Sequence, residues 1–322
     1  MESELLLQTP LLVLIFSDLL LLVLGFIALF GAVKILKDWD FKSTTTYQYQ
    51  LEKTSYLTTL IITITVIFSI MLLPYFAYTI DSLHTIVPGA MCGAGVIGAN
   101  EFGYPLLWVK IALIFLSGIW LIINEKDIKE KNYPYIFKKY YLYLAIFILL
   151  LLGIYLEFSY FSNISLKRVV SCCSVIFGAS GESGIPFNLD TKSLLIIFYL
   201  LSFLNIFNIW QKNSFSLALS SLAFLPIAYY AIIYFFGTYI YELPTHICPF
   251  CMMQKEYYYV GYLIWGLLLV STFYGIINGI LKITTDKEEP RYFKISLLSL
   301  VALLLLTASY VGVYLLTNGV WL

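Results

Sequence analysis

The sequence is poor in charge. Only 12% of its 322 residues are charged, about half the share in an average soluble domain, and 61% are hydrophobic. The 19 basic and 19 acidic residues balance, so the chain lacks the basic surface that nucleic-acid binding requires. This composition excludes an ordinary soluble domain and a nucleic-acid-binding protein, and it indicates an integral membrane protein.

Several catalytic and targeting motifs are absent. The chain has no Walker motif, no carboxylate–histidine metal signature and no Ser-His-Asp set on one predicted side, so neither an ATPase nor a hydrolase is expected. A C-x-x-C-H motif for covalent haem is also absent. Residues 1–7, "MESELLL", carry two acids and no base, which is not typical of a secretory signal.

Long apolar runs are plentiful. Runs of about 17–25 apolar residues cross a bilayer as helices, because each backbone polar group must be satisfied within the segment. We predict an all-α, polytopic membrane protein with eight transmembrane helices in a single membrane domain, 1–322. The predicted spans are 10–33, 57–80, 104–123, 141–161, 194–210, 217–240, 257–280 and 295–316.

Basic residues predict the orientation. Fourteen of the 19 Lys and Arg fall in the first, third, fifth and seventh connections, and four fall in the second, fourth and sixth. Connections rich in Lys and Arg stay in the cytoplasm, so we predict both termini outside and outer loops at 81–103, 162–193 and 241–256. The chain is then a multi-pass protein of a bacterial cytoplasmic (inner) membrane, surrounded by the lipid bilayer, with periplasmic functional loops. This orientation requires a helical hairpin around the turn 211–216.

All cysteines and histidines fall in the predicted outer loops. Disulfides form and persist in outer compartments, and chance would rarely place every cysteine there. The pattern therefore points to redox or metal chemistry on that face. The residues are His84, Cys92, Cys172, Cys173, His246, Cys248 and Cys251.

The stretch "THICPFCMMQKEY", 245–257, places Cys248 and Cys251 three positions apart, directly before the seventh span. A helix N-terminus favours a thiolate through its partial positive charge, and Lys255 follows one turn after Cys251. Such a C-x-x-C indicates a redox-active disulfide, half of a metal site or a plain structural disulfide.

These residues resemble a known family. Thiol oxidases of the bacterial disulfide-bond-formation membrane family carry C-x-x-C-x-x-x-Arg at the outer end of a transmembrane helix, and their vitamin K epoxide reductase relatives add a second, loop-borne cysteine pair. "CPFCMMQK" has this spacing, with Lys255 where the family has an arginine that helps at the quinone. The resemblance covers about eight residues and implies a thiol:quinone oxidoreductase. The chain departs from the family in its eight predicted spans and in its adjacent Cys172 and Cys173.

A second cysteine pair is expected in the loops. Cys172 and Cys173 rarely pair with each other, because the eight-membered ring strains the peptide, so we expect one of them to pair with Cys92. Electrons would then pass between a periplasmic thiol protein, this relay pair, Cys248 with Cys251, and a membrane quinone, by thiol–disulfide exchange. The direction is not readable, and other pairings stay open.

Two other interpretations use the same residues. In the first, soft sulfur ligands and imidazoles hold a metal, so the chain handles copper or haem, with His84 and His246 as ligands. Its further ligands would be Met91, Cys92, Cys248, Cys251, Met252 and Met253. In the second, the chain is a non-catalytic subunit of a membrane complex whose loops are stapled by disulfides.

Three ionisable residues fall in or near predicted spans: Asp18, Lys110 and Glu157. Such groups are costly in a bilayer and often functional. Asp18 lies deepest, and we expect it either to relay protons at the quinone site that includes Lys255 or to pair with Lys110. Lys110 is long enough to snorkel, and Glu157 is close enough to its helix end to be interfacial.

Overall fold

The computed structural model describes residues 7–130, 132–166, 169–170, 189–285 and 288–322. These residues contain eight helices that are long and apolar enough to cross a membrane, which confirms the predicted all-α, polytopic fold. The chain divides into two compact units, Met1–Val170 and Ser171–Leu322, with four of these helices each. The helices are α1 (Thr9–Asp38), α2 (Thr46–Ser82), α3 (Gly103–Lys129), α4 (Ile136–Ser162), α5 (Thr191–Trp210), α6 (Ser214–Tyr241), α7 (Val260–Thr285) and α8 (Pro290–Asn318).

The first unit is a bundle in which α1 packs against α2 and α4, and α3 packs against the same two helices. Small residues allow the helices to approach closely, as is usual in lipid. A β-carbon added at Gly31 would lie 2.1 Å from Oγ1 of Thr58, and one at Gly25 would lie 2.9 Å from the Phe147 ring. Buried tyrosines add hydrogen bonds between helices: Tyr143 donates to the carbonyl of Gly25 at 2.7 Å.

The second unit packs α7 against α6 and α8, and α5 against α6. Here too a glycine marks the closest approach, because a β-carbon at Gly275 would lie 2.0 Å from Oγ of Ser221. Neutral amides and hydroxyls join α5 to α6: the hydroxyls of Ser220 and Ser221 donate to Oδ1 of Asn205 at 2.7 and 3.0 Å. The polar contacts described between these two helices are therefore neutral.

The connection between α5 and α6 is short. α5 ends at Trp210 and α6 begins at Ser214, with Lys212 in the left-handed conformation (φ 55°). The side chain of Asn213 accepts a hydrogen bond from the Ser216 amide at 3.1 Å, which caps the first turn of α6. The hairpin that the predicted orientation requires is present.

The helix after the C-x-x-C motif begins later than predicted, which separates the motif from the helix. The seventh span was expected to begin at residue 257, but α7 begins at Val260, because Tyr258 and Tyr259 adopt left-handed conformations with φ of 54° and 56°. Cys251 therefore lies nine positions ahead of α7, at the start of a short 3-10 turn, Cys251–Met253. The expectation that the N-terminus of α7 stabilises its thiolate is not supported by this geometry.

α6 is not a uniform α-helix. Residues Ile232–Phe236 form a π-helical turn, after which Gly237–Tyr241 completes the helix as α. A π turn accommodates one extra residue in the helical ladder, and such turns are frequent at functional sites. Five α-helical residues, Gly237–Tyr241, separate it from the loop that carries Cys248 and Cys251.

Candidate functional site

The loop between α6 and α7, 242–259, carries the C-x-x-C motif. It leaves α6 through a left-handed Glu242 (φ 53°) and contains two 3-10 turns, Cys251–Met253 and Lys255–Tyr257. Cys248 and Cys251 are 8% and 9% exposed, and their Sγ atoms lie within 4.8 Å of one another. An S–S bond measures about 2.05 Å, so the two sulfurs would have to move closer together to form one.

Two aromatic side chains hold the backbone around the pair. The hydroxyl of Tyr241, the last residue of α6, donates to the carbonyl of Cys248 and accepts from the amide of Met252 at 3.0 Å. From α7, Nε1 of Trp265 donates to the carbonyl of Pro249 at 3.2 Å. Both helices that flank the loop therefore fix the position of the two cysteines.

The turn after Cys251 packs directly onto α7. Met252 and Met253 are buried, and a β-carbon added at Gly261 would lie 2.5 and 2.7 Å from their Cγ atoms. Only a glycine leaves room for this approach. In this arrangement the two methionines anchor the loop through apolar contact.

His246 lies beside the same tyrosine that holds Cys248. Its ring stacks on Tyr241 with centroids 4.0 Å apart and an interplanar angle of 21°, and its Nε2 atom is buried.

Tyr257 also packs on Tyr241, edge to face, with ring centroids 4.9 Å apart. Burial, followed by the charges of Cys251, Glu256 and Cys248, raises the pKa of Tyr257. Lys255, the predicted quinone residue, is exposed.

The loop of the first unit, 83–102, is also ordered by specific contacts. Cys92 is 2% exposed and precedes a five-residue helix, Gly93–Ile97. The carboxylate of Asp81 accepts from the Gly93 amide at 2.9 Å, and Nδ1 of His84 contacts the Asp81 carbonyl. His84 is therefore held at the end of α2, and Cys92 lies directly before the short helix.

The predicted relay pair falls partly outside the described residues, which do not include Cys172 and Cys173. The described part of the chain contains no disulfide bond. The pairing of Cys92 with Cys172 or Cys173 stays a prediction, as does metal binding by His84 and His246.

The ionisable residues in the spans of the first unit form one cluster. Nζ of Lys110 lies 2.6 Å from Oε2 of Glu157 and 3.6 Å from Oδ2 of Asp18, which confirms one of the two interpretations of Asp18, its pairing with Lys110. Glu157 is only 3% exposed, and Lys110 turns towards it. The opposite charges draw both side chains inward.

The sequence reading missed a second buried ion pair in this unit. Nζ of Lys139 lies 2.7 Å from Oδ2 of Asp127, and both side chains are almost fully buried. The Tyr135 amide donates to Oδ1 of Asp127 at 2.8 Å, and Lys139 also donates to Oδ1 of Asn124 at 3.3 Å. Both charged residues lie in a polar connection by sequence, and only the extension of α3 and α4 beyond the apolar runs brings them together.

Comparisons with family models, with curated proteins and with solved structures find no match.

Proposed function

We propose that the chain is a membrane thiol–disulfide oxidoreductase whose reactive pair is Cys248 and Cys251. One observation carries the proposal: the two cysteines of a C-x-x-C are buried at the end of a helical bundle, with their sulfurs within 4.8 Å. Tyr241 and Trp265 hold the backbone on either side of the pair, so the sulfurs can join and separate without a rearrangement of the bundle.

The chemistry balances as a two-electron exchange. In the oxidising direction, Cys248 and Cys251 lose two protons and two electrons and form a disulfide. A periplasmic thiol protein then reduces this disulfide. Its thiolate attacks one of the two sulfurs, which forms a mixed disulfide and releases the other cysteine as a thiolate. The second thiol of the partner then attacks the partner's own sulfur in the mixed disulfide and releases the remaining cysteine. The reverse sequence carries electrons to the partner, with the same balance.

A membrane quinone, when bound, supplies the two-electron, two-proton acceptor. The second unit has a cavity of about 390 Å³ lined by Tyr199, Phe235, Trp321 and aliphatic side chains. Small-molecule sites measure about 300–1,000 Å³ and are mostly apolar and aromatic, so this lining fits a quinone ring. Phe235 lies in the π turn of α6, and Tyr241 of the same helix contacts the cysteine loop.

The distribution of basic residues supports a location for this chemistry. Lys and Arg are concentrated in the odd-numbered connections, which favours a cytoplasmic position for those connections and a periplasmic position for 242–259. The protein then lies in a bacterial inner membrane and carries out thiol–disulfide exchange with periplasmic partners.

The decisive experiment is acid-quenched thiol trapping in native membranes, with the quinone pool first oxidised and then reduced, and each cysteine mapped by mass. We expect Cys248 and Cys251 to switch between disulfide and dithiol with the pool. If the thiols react with an alkylating agent only after a chelator is added, the pair is a metal site and the proposed redox function is wrong. A disulfide that never changes would make the pair structural.

Variants sharpen the assignment. Cys248→Ser and Cys251→Ser should each abolish exchange, and one of the two should accumulate a mixed disulfide with a periplasmic protein. Met253→Leu is the matched control, because it keeps the volume that packs on Gly261 and removes only a thioether. Wild-type activity in that control, with loss in both cysteine variants, supports redox function over a thioether-bound metal.

A further inference from the structure

The cluster in the first unit contains more negative than positive charge. Asp18 and Glu157 are 6% and 3% exposed, and Lys110 is the cation that lies between them. Both carboxylates contact the same ammonium group, so the two negative charges lie close to each other. With both carboxylates ionised, the three side chains carry a net charge of −1.

The surroundings supply little to compensate this charge. Among the described residues, no amide or hydroxyl group donates to either carboxylate oxygen of Glu157 or to Oδ2 of Asp18. The Phe76 ring lies 5.0 Å from the ammonium of Lys110, where it favours the cation only. A cavity of about 20 Å³, lined by Asp18, Lys110, Ser69 and aliphatic side chains, has room for about one water.

The neighbouring titratable groups at this end of the bundle are engaged elsewhere. α2 faces the cluster with the uncharged Ser69 and Phe76. Tyr75 of α2 donates to the Pro10 carbonyl at 3.1 Å. The carboxylate of Asp81 accepts from the Gly93 amide at 2.9 Å. Tyr160 of α4 donates to the Val96 carbonyl at 2.6 Å. Tyr104 of α3 is exposed.

The cluster lies well inside the helices that carry it. At about 1.5 Å per residue, Asp18, Lys110 and Glu157 are about 7–14 Å from the nearest ends of α1, α3 and α4. An uncompensated charge at such a depth costs several kcal/mol, and a buried carboxylate takes up a proton in preference to remaining charged.

We propose that Asp18 and Glu157 hold one proton between them, so that with Lys110 they form a proton-binding site within the membrane-spanning part of the first unit. The bound proton makes the cluster neutral and supplies the missing donor between the two carboxylates. This site is built from α1, α3 and α4 alone and does not depend on the thiol chemistry of the second unit.

The second ion pair of the same unit provides an internal contrast. Asp127 and Lys139 match one negative with one positive charge, and the Tyr135 amide donates to the carboxylate as well. That pair is neutral without an added proton. A proton is therefore expected at the three-residue cluster and not at the pair.

Infrared spectroscopy of the full-length protein in lipid tests the proposal, through the carbonyl stretch of a protonated carboxylic acid. At neutral pH, exposed carboxyls are ionised, so wild type should show this band from the cluster alone. Glu157→Gln and Asp18→Asn should each abolish it, because one carboxylate then balances Lys110. Lys110→Met should strengthen it, because two carboxyls then stay protonated. Asp127→Asn, the matched control, should leave it unchanged.

Contrary results are equally clear. A wild type without the band at neutral pH, or a band that survives in both carboxylate variants, overturns the proposal. A band that appears only when sodium is withdrawn assigns the site to a monovalent cation and overturns it as well. If a carboxylate variant fails to fold, the pH titration of the wild-type band in light and heavy water still decides, because a shared proton gives a band that shifts on deuteration and vanishes at high pH.

Discussion

The two units share a plan and differ in what they bury. Each has four long helices and a loop of similar length after its second helix, 83–102 and 242–259, with one histidine and at least one cysteine. Among the described residues, the first unit buries four charged side chains, whereas the buried polar side chains of the second are all uncharged. Buried charges are the costlier way to join helices in lipid, so their restriction to one unit points to a task beyond cohesion.

The largest effect is expected where a buried charge loses its partner. Lys139→Met leaves Asp127 without its cation in the core of the first unit and should lower the free energy of unfolding by about 3–5 kcal/mol. Denaturant unfolding in detergent measures this. Lys129→Met, which breaks the exposed pair with Glu125, is the control and should change stability little.

Removal of both charges separates charge from packing. Lys139→Met combined with Asp127→Leu should recover most of the lost stability, because no uncompensated charge remains. A single Lys139→Met variant as stable as wild type would contradict the claim that the first unit depends on paired charges.

In the second unit, the largest effect should come from close packing. Gly275→Val introduces atoms where Ser221 already lies, and we expect a loss of about 1–3 kcal/mol in unfolding free energy. Gly266, on the same helix, has open space around its α-carbon, so Gly266→Val is the matched control. Equal stability of the two variants would show that α7 does not pack on α6 as described.

A smaller effect is expected at the cysteine loop. Tyr241→Phe keeps the ring stacked on His246 but removes the hydroxyl that joins Cys248 to Met252. Loss of about 1–2 kcal/mol in local stability should make alkylation of the reduced cysteines roughly 5–30-fold faster. Tyr239→Phe, whose ring packs on Tyr314, is the control. Unchanged alkylation rates in Tyr241→Phe would mean that the hydroxyl does not hold the loop.

The smallest effect concerns pH. The pKa of Tyr257 is raised in the folded protein, so the folded state holds this proton more tightly than the unfolded state. Its contribution is therefore constant below the ordinary tyrosine pKa of about 10 and is lost as pH rises through the folded value. The thermal midpoint of wild type should fall more steeply than that of Tyr257→Phe above about pH 10. Parallel curves would place the hydroxyl in free solvent.

The helices were predictable because length and apolarity alone decide them in a membrane. The start of α7 was not, because the left-handed Tyr258 and Tyr259 depend on the packing of the loop on Gly261. The cysteine pair was visible from its spacing, but Tyr241 and Trp265 were not, since one tyrosine among 27 and one tryptophan among six carry no local signal. The pairing of Asp18 with Lys110 was foreseen, whereas burial of Glu157 required the arrangement of α3 against α4.

The π turn at Ile232–Phe236 acts as a rotational adjustment for the cysteine loop. One extra residue turns everything after it by about 100° around the helix axis, compared with an uninterrupted α-helix. Tyr241 points at Cys248 and Met252 with that rotation included. Deletion of a single residue from the turn would keep α6 apolar and helical, yet aim the tyrosine at a different neighbour. The number of residues in the π turn thus determines which way Tyr241 points, and through Tyr241 it determines how the backbone around the thiols is held.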